Sequence, residues 1–288
     1  MTISVKNIEK PLGAVITGVD LSKELDDQTF ALIRKTLDER SLIVLKSQKI
    51  RPEQQTGFAS RFGKLLVHAH SKNILPSHPG LSVLSNIQEE GRNIGVPDAG
   101  MVWHTDGSYL NTPDMYTFLY GIEIPVKDGK PMGNTLYACT TAAYDALPDA
   151  TKTKIAPLQA VHSLEYHSIN RARAGGTKVE ITEELRKKVP DRAQPVVRTH
   201  PVTGRKAIYV SEGHTTHIEG MDAQESATLL RELWDHMRQP EFVYSHNWEP
   251  GDLVVWDNAA TQHRATGDYV LPLRRLMNRA ATEGTTPF

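Results

Sequence analysis

Hydrophobic positions along the chain change period several times, and each change marks an element. Residues 13–20, Gly13-Ala14-Val15-Ile16-Thr17-Gly18-Val19-Asp20, read as a short strand ending in a turn. Asp26 or Asp27 caps a following helix. In it Phe30, Ile33 and Leu37 recur at helical spacing while Arg34, Lys35, Asp38 and Glu39 face elsewhere. Ser41-Leu42-Ile43-Val44-Leu45 is an apolar run without alternation, the pattern of a strand covered on both faces. Pro52 suits a first helical turn, and this second helix continues through Phe58 to Phe62. From Lys64 to Val102 the pattern breaks. Pro76, Pro79, Gly80, Gly91, Gly95, Pro97 and Gly100 punctuate a mostly irregular stretch around one strand, Leu81-Ser82-Val83-Leu84. Long irregular segments in compact domains are lids or are disordered, and this one leads directly into a histidine and a carboxylate, which favours a lid.

Met115 to Ile122 and Asn134 to Ala138 read as strands separated by a turn from Pro125 to Gly133, and Thr141 to Leu147 as a short helix stopped by Pro148. Residues 164–195 mix charge with Gly175-Gly176 and Pro190 and read as a second mobile insertion, with a short helix near 182–188. Val196 to His200 and Ala207 to Val210 flank a Pro201-to-Gly204 turn, a hairpin signal. Asp222 with Glu225 forms a capping-box pattern. Leu229, Leu230, Leu233, Trp234 and Met237 then draw an apolar stripe along the helix that follows. Strands resume at Phe242 to Tyr244, Asp252 to Trp256 and Arg274 to Thr282. Many short strands with helices grouped early and at 222–238 imply a mostly β fold, a sandwich or jelly roll with helices packed outside. No repeat or linker splits residues 1–288, so they read as a single domain with lid-like insertions near 64–102 and 164–195.

Composition narrows the class without naming a function. Hydrophobic residues at 39% and charged residues at 23% are those of an ordinary globular protein. A formal net charge of -1 offers no summed field for nucleic acid or an anionic membrane. The N-terminal residues lack the apolar run of a secretory signal and no stretch is long enough to span a bilayer, so a cytoplasmic protein is expected. Self-association into a homo-oligomer is compatible with the sequence. Cys139 is the single cysteine, which excludes an intrachain disulfide and a cysteine metal cluster, and it reads as a small residue in a half-buried strand.

The candidate chemistry centres on Trp103-His104-Thr105-Asp106. If the backbone is extended there, side chains two apart share a face and His104 and Asp106 can close on one metal ion. A late stretch, Trp256-Asp257-Asn258-Ala259-Ala260-Thr261-Gln262-His263, offers the third ligand in His263. Two histidines and a carboxylate on one side of an ion leave its other positions open, as in non-haem Fe(II) oxygenases. A His-x-Asp pair by itself is a weak signal. An arginine pair, Arg274-Arg275, follows closely.

In this spacing, and in Gly13-Ala14-x-x-Thr17-Gly18-Val19-Asp20, Arg61-Phe62-Gly63, Ala142 to Leu147, Val197-Arg198-Thr199-His200-Pro201 and Arg274 to Ala280, the chain resembles the taurine dioxygenase and TfdA family. These are Fe(II)- and 2-oxoglutarate-dependent enzymes, and the likeness covers nearly the whole chain. It implies a double-stranded β-helix, or jelly roll, with flanking helices. It implies His104, Asp106 and His263 as the iron ligands and Arg275 with Thr135 as the grip on the remote carboxylate of 2-oxoglutarate, which an arginine fork suits. Arg279 matches the arginine that holds the anionic group of the primary substrate. If both arginines stand on one strand, their even separation puts them on one face. His68 matches a substrate contact from the first lid, with His70 competing for that role. Trp256 is expected as a core aromatic beside the iron, and Asn258 as the residue closing the turn before His263.

The sequence also departs from the taurine enzyme's pattern. Ser71 and Gly100 stand where that enzyme has a lid tyrosine and an asparagine, and His167-Ser168 where it has a Ser-Phe pair. The cosubstrate grip is thus intact and the substrate grip altered. The expectation is a dioxygenase that takes O2 and hydroxylates a small organic anion of sulfonate, alkyl sulfate or aryloxyalkanoate type, with release of succinate and CO2. Two readings from other classes stand beside it. One is a Zn(II) hydrolase built on the same three residues, for which no carboxylate is clearly placed as general base. The other is a jelly-roll binding protein without turnover.

Overall fold

The computed structural model describes residues 2–67 and 73–288. His68, His70 and Ser71, named above for the first lid, lie outside the described residues. The chain is mostly strands with some helices. Its largest sheet runs, edge to edge, through Ser4–Asn7, Ala14–Thr17, Leu42–Leu45, Leu253–Asp257, Asp114–Glu123, Leu276–Glu283, His78–Ser85 and Ile74–Leu75. Neighbours are antiparallel except Ala14–Thr17 beside Leu42–Leu45. The unbroken apolar run of Leu42–Leu45 is buried at all four positions, as a strand with both faces covered requires.

Two early helices cover this sheet, and a later one packs on the smaller sheets. Asp26 caps Asp27–Arg40 by accepting from the Thr29 N–H at 2.8 Å, and Ser41, left-handed at φ 57°, ends it with its N–H on the Leu37 carbonyl. Pro52 opens Pro52–Ser60. Phe62, just beyond it, meets Phe30 and Phe118 edge to face at centroid distances of 5.0 and 5.1 Å, pinning both helices to the sheet. Asp222 caps Ala223–Met237, whose Leu229, Leu230, Leu233 and Met237 are buried against Ile155, Val196, Ile208 and Phe242. Each such side chain contributes about 1.5–3 kcal/mol by burial.

A three-stranded sheet completes the frame that holds the site. Thr135–Cys139 lies between Val243–His246 and Thr261–Ala265, pairing Thr135 with Ala265 and Tyr137 with His263. Residues 197–199 and 206–208 form the expected hairpin.

Within the described residues, the two insertions hold more regular structure than their punctuation implies. His78–Ser85 is an eight-residue strand that includes Pro79 and Gly80 and pairs with Leu276–Glu283. The second insertion holds a helix, Leu164–Arg173, and a strand, Arg192–Pro195, besides the expected turn of helix at Glu183–Lys188. Asp98 joins the two segments, accepting from the Arg171 guanidinium and the Thr177 backbone N–H.

Candidate functional site

His104 and His263 come from chain segments 159 positions apart and are zipped together by backbone hydrogen bonds in both directions, at 3.1 and 2.9 Å. His263 stands mid-strand in Thr261–Ala265. The imidazoles face one another with centroids 4.2 Å apart. His104 Nδ1 lies 2.8 Å from the Val102 carbonyl, which can only accept, so Nδ1 carries the proton and Nε2 presents a lone pair. Asp106 Oδ1 is 3.5 Å from His104 Nε2 and 3.9 Å from His263 Nε2. The three ligand atoms lie within 4.8 Å of one another and could hold one metal ion. Directly after Asp106 the chain reverses at Gly107, whose φ of 64° and 2.8 Å approach of a would-be Cβ to Asp114 Oδ1 exclude a side chain.

The other carboxylate oxygen of Asp106 is already spoken for, which leaves Oδ1 to a metal. Oδ2 accepts from Thr117 Oγ1 at 2.7 Å and meets Arg279 Nη2 at 3.0 Å. Asn258 organises this side. Its Nδ2 donates to Thr117 Oγ1 at 3.0 Å, which commits the threonine proton to Asp106, and its Oδ1 accepts from the Asp106 N–H and the Trp256 indole, both at 3.2 Å. Asn258 does sit in the turn before His263, but its side chain does more than close it. Thr117 carried no sequence signal at all, because its role depends on strand Asp114–Glu123 lying across from Trp256. Trp256 is buried, its ring 4.6 Å from that of His263.

One cavity collects the remaining expected residues. His104, Asp106 and His263 line it together with Thr135, Arg275 and Arg279, and Gly100 and Trp256 border it as well. Arg275 precedes strand Leu276–Glu283 and Arg279 lies within it; a register irregularity between Leu276 and Met277 intervenes, yet both guanidinium groups reach the same space. Arg279 pairs with Asp106 and, at 2.7 Å, with Asp114. Arg275 is 6% exposed, and its Nε has no hydrogen-bond partner; among the described residues no carboxylate forms an ion pair with it. A buried, uncompensated guanidinium is destabilising unless an anion joins it. Thr135 is buried beside it and accepts from the Trp248 indole at 3.0 Å. The second-insertion residues split. The His167 ring lies 5.9 Å from that of His104, while Ser168 turns away to Val179.

Electrostatics keep the ligand set ready for a cation. Burial pushes the Asp106 carboxyl up, but the Arg279 guanidinium and the two imidazoles reverse this and hold it well below the usual carboxylate range. Burial lowers His162, His167 and His263 to about 3 and His214 well below its ordinary value. An unfolded imidazole takes up a proton near pH 6.5, whereas these folded ones refuse it until about pH 3. The unfolded state therefore binds more protons across that window, and stability is lost as the pH falls through it, by about 1.4 kcal/mol per pH unit and per group. Thermal unfolding of the metal-free protein is expected to drop steeply between about pH 6.5 and 5, before ordinary carboxylates titrate. A flat melting temperature over that interval would contradict the burial of these rings.

A family model described as "Taurine catabolism dioxygenase TauD, TfdA family" matches residues 4–281. The chain belongs to that family. Within it, the chain is 32% identical over 292 residues to the alpha-ketoglutarate-dependent 2,4-dichlorophenoxyacetate dioxygenase of Cupriavidus pinatubonensis, covering 98% of each chain. It is 32% identical to the pentalenolactone F synthase of Streptomyces arenae, covering 88% of this chain and 86% of the relative. The crystal structure of AAD-2 in complex with Mn(II) and N-oxalylglycine superposes with a TM-score of 0.82 at 34% identity, covering 100% of this chain and 99% of that one. Among the described residues, no helix of this TauD, TfdA family member is long and apolar enough to cross a membrane.

Proposed function

We propose that this chain is an Fe(II)- and 2-oxoglutarate-dependent dioxygenase that hydroxylates a small organic anion and releases succinate and CO2. The observation that carries it is Arg275, a buried guanidinium without a carboxylate partner among the described residues, in the same cavity as a His/Asp/His group able to hold a metal. Two imidazoles and one carboxylate suit Fe(II), and the bound ion supplies redox chemistry with O2 and a chelated keto acid. The relatives' names point the same way, and N-oxalylglycine is 2-oxoglutarate with an N–H in place of one CH2. We read the chain as one catalytic domain on a jelly-roll core, with lids at 64–102 and 164–195.

His104, Asp106 and His263 are the iron ligands on this reading, with Asp106 bound through Oδ1 because Thr117 and Arg279 occupy Oδ2. Arg275 and Thr135 take the remote carboxylate of 2-oxoglutarate, the arginine through parallel N–H bonds. Arg279 anchors the substrate anion. Arg279, Asp106 and Asp114 together are net negative by one charge, and a divalent cation makes the cluster net positive by one. Anions are thus favoured after the metal, which gives an order of binding.

Sulfonates, alkyl sulfates and aryloxyalkanoates are the substrate classes, with His167 and Gly100 reshaping the site relative to the taurine enzyme's pattern. A Zn(II) hydrolase is less well supported, since Asp114, the other carboxylate beside the ligands, is held by Arg279. The test is succinate release with Fe(II), 2-oxoglutarate and a panel of such anions. Substrate-dependent succinate formation is the expected result, and a rate that no anion raises above background would remove the support for this class.

A further inference from the structure

The wall that carries Thr135 holds more hydrogen-bond donors than acceptors. Thr135 and Tyr137 are alternate residues of strand Thr135–Cys139 and so share a face. Both are buried, and the Tyr137 hydroxyl has no hydrogen-bond partner among the described residues. Burial pushes the Tyr137 phenol well above its ordinary value, with the Thr135 hydroxyl and the Arg275 guanidinium acting against it. Behind them Trp248, fully buried, donates its indole N–H to Thr135 Oγ1 at 3.0 Å.

An indole N–H cannot accept, so this bond has one possible direction. Thr135 lines the cavity and Tyr137 does not. Thr135 spends a lone pair on the indole, so its own proton is the one left for a group in the cavity. Arg275 Nε is a second unspent donor at the same wall, with Nη1 donating to the Tyr269 hydroxyl at 3.3 Å. One carboxylate offers about four lone-pair sites and satisfies both.

We propose that Trp248 is a positioning residue for the remote carboxylate of 2-oxoglutarate. Its indole fixes the polarity of the Thr135 hydroxyl so that the cavity wall presents a proton to the anion instead of a lone pair. This rests on the reading of Thr135 and Arg275 as the cosubstrate grip.

The test is calorimetric titration of 2-oxoglutarate into Mn(II)-loaded protein, for wild type, Trp248→Phe, Thr135→Val and the double variant. Trp248→Phe is expected to weaken 2-oxoglutarate about three- to tenfold and Thr135→Val about tenfold, in the range of one buried hydrogen bond. The double variant should be no weaker than Thr135→Val alone, because Trp248 acts through that hydroxyl. Mn(II) affinity should stay at the wild-type value throughout. Additive losses, an unchanged Trp248→Phe, or a parallel loss of Mn(II) would overturn the proposal. If Thr135→Val and Arg275→Met both leave 2-oxoglutarate binding unchanged, the cosubstrate reading itself fails, whereas losses in those two without one in Trp248→Phe sink only the role of Trp248. Should phenylalanine disturb folding, β-(3-benzothienyl)alanine at position 248 replaces the N–H by sulfur with the shape kept, and the same outcomes apply.

Discussion

Asp106→Ala is expected to abolish tight metal binding and to lower turnover by on the order of 10³-fold or more, equivalent to about 4 kcal/mol. Asp106 supplies the anionic ligand of the group, and its Oδ1 faces both imidazoles. The substitution should leave the fold standing, since Arg279 retains Asp114 as its counter-charge at 2.7 Å. Calorimetric titration with Mn(II) separates the two effects: metal affinity collapses while the melting temperature of the metal-free protein changes little. Wild-type Mn(II) affinity in this variant would show that the cation binds elsewhere. Asp106→Asn is the sharper control. It keeps the shape and the Thr117 contact but removes the charge that draws a divalent ion, so it should resemble the alanine variant in affinity.

Arg275→Met carries the second large effect. Truncating one partner of a buried, charge-assisted pair costs about 2–5 kcal/mol, so binding of 2-oxoglutarate should weaken on the order of 100-fold. Stability should move in the opposite direction. Without an anion, Arg275 is a buried charge with no carboxylate partner among the described residues, and a well-packed apolar chain of similar length avoids that penalty. The metal-free, cosubstrate-free variant is therefore expected to melt at or above the wild-type temperature while binding 2-oxoglutarate far more weakly. Arg275→Lys should fall between, because the ammonium keeps the charge and loses the planar fork. Unchanged 2-oxoglutarate affinity in Arg275→Met would remove the basis for the cosubstrate pocket.

Much of the scaffold was legible because its signals are local. Asp26 and Asp222 at helix starts, Pro52 in a first turn, and the apolar stripe of Ala223–Met237 act within a few residues of themselves. The misses have equally specific causes. Pro79 and Gly80 hid the start of strand His78–Ser85. Helix Leu164–Arg173 buries Ser168 and Asn170, so its inward face is polar and its hydrophobic period is weak. Strand Thr261–Ala265 is buried at every position except Arg264 yet reads as polar, because Gln262 on one face donates to the Val210 carbonyl and His263 on the other lines the cavity.

The sequence, with its family resemblance, named the candidate residues as expectations: His104, Asp106, His263, Thr135, Arg275 and Arg279. Residue types and caps are properties of short stretches, and a chain states them directly. That these six share one cavity, that Thr117 and Asn258 hold Asp106, and that Arg275 has no carboxylate partner among the described residues were decided by tertiary structure. Such facts depend on distances between strands far apart in the chain, and a side chain's partners exist only once the sheets have paired in register.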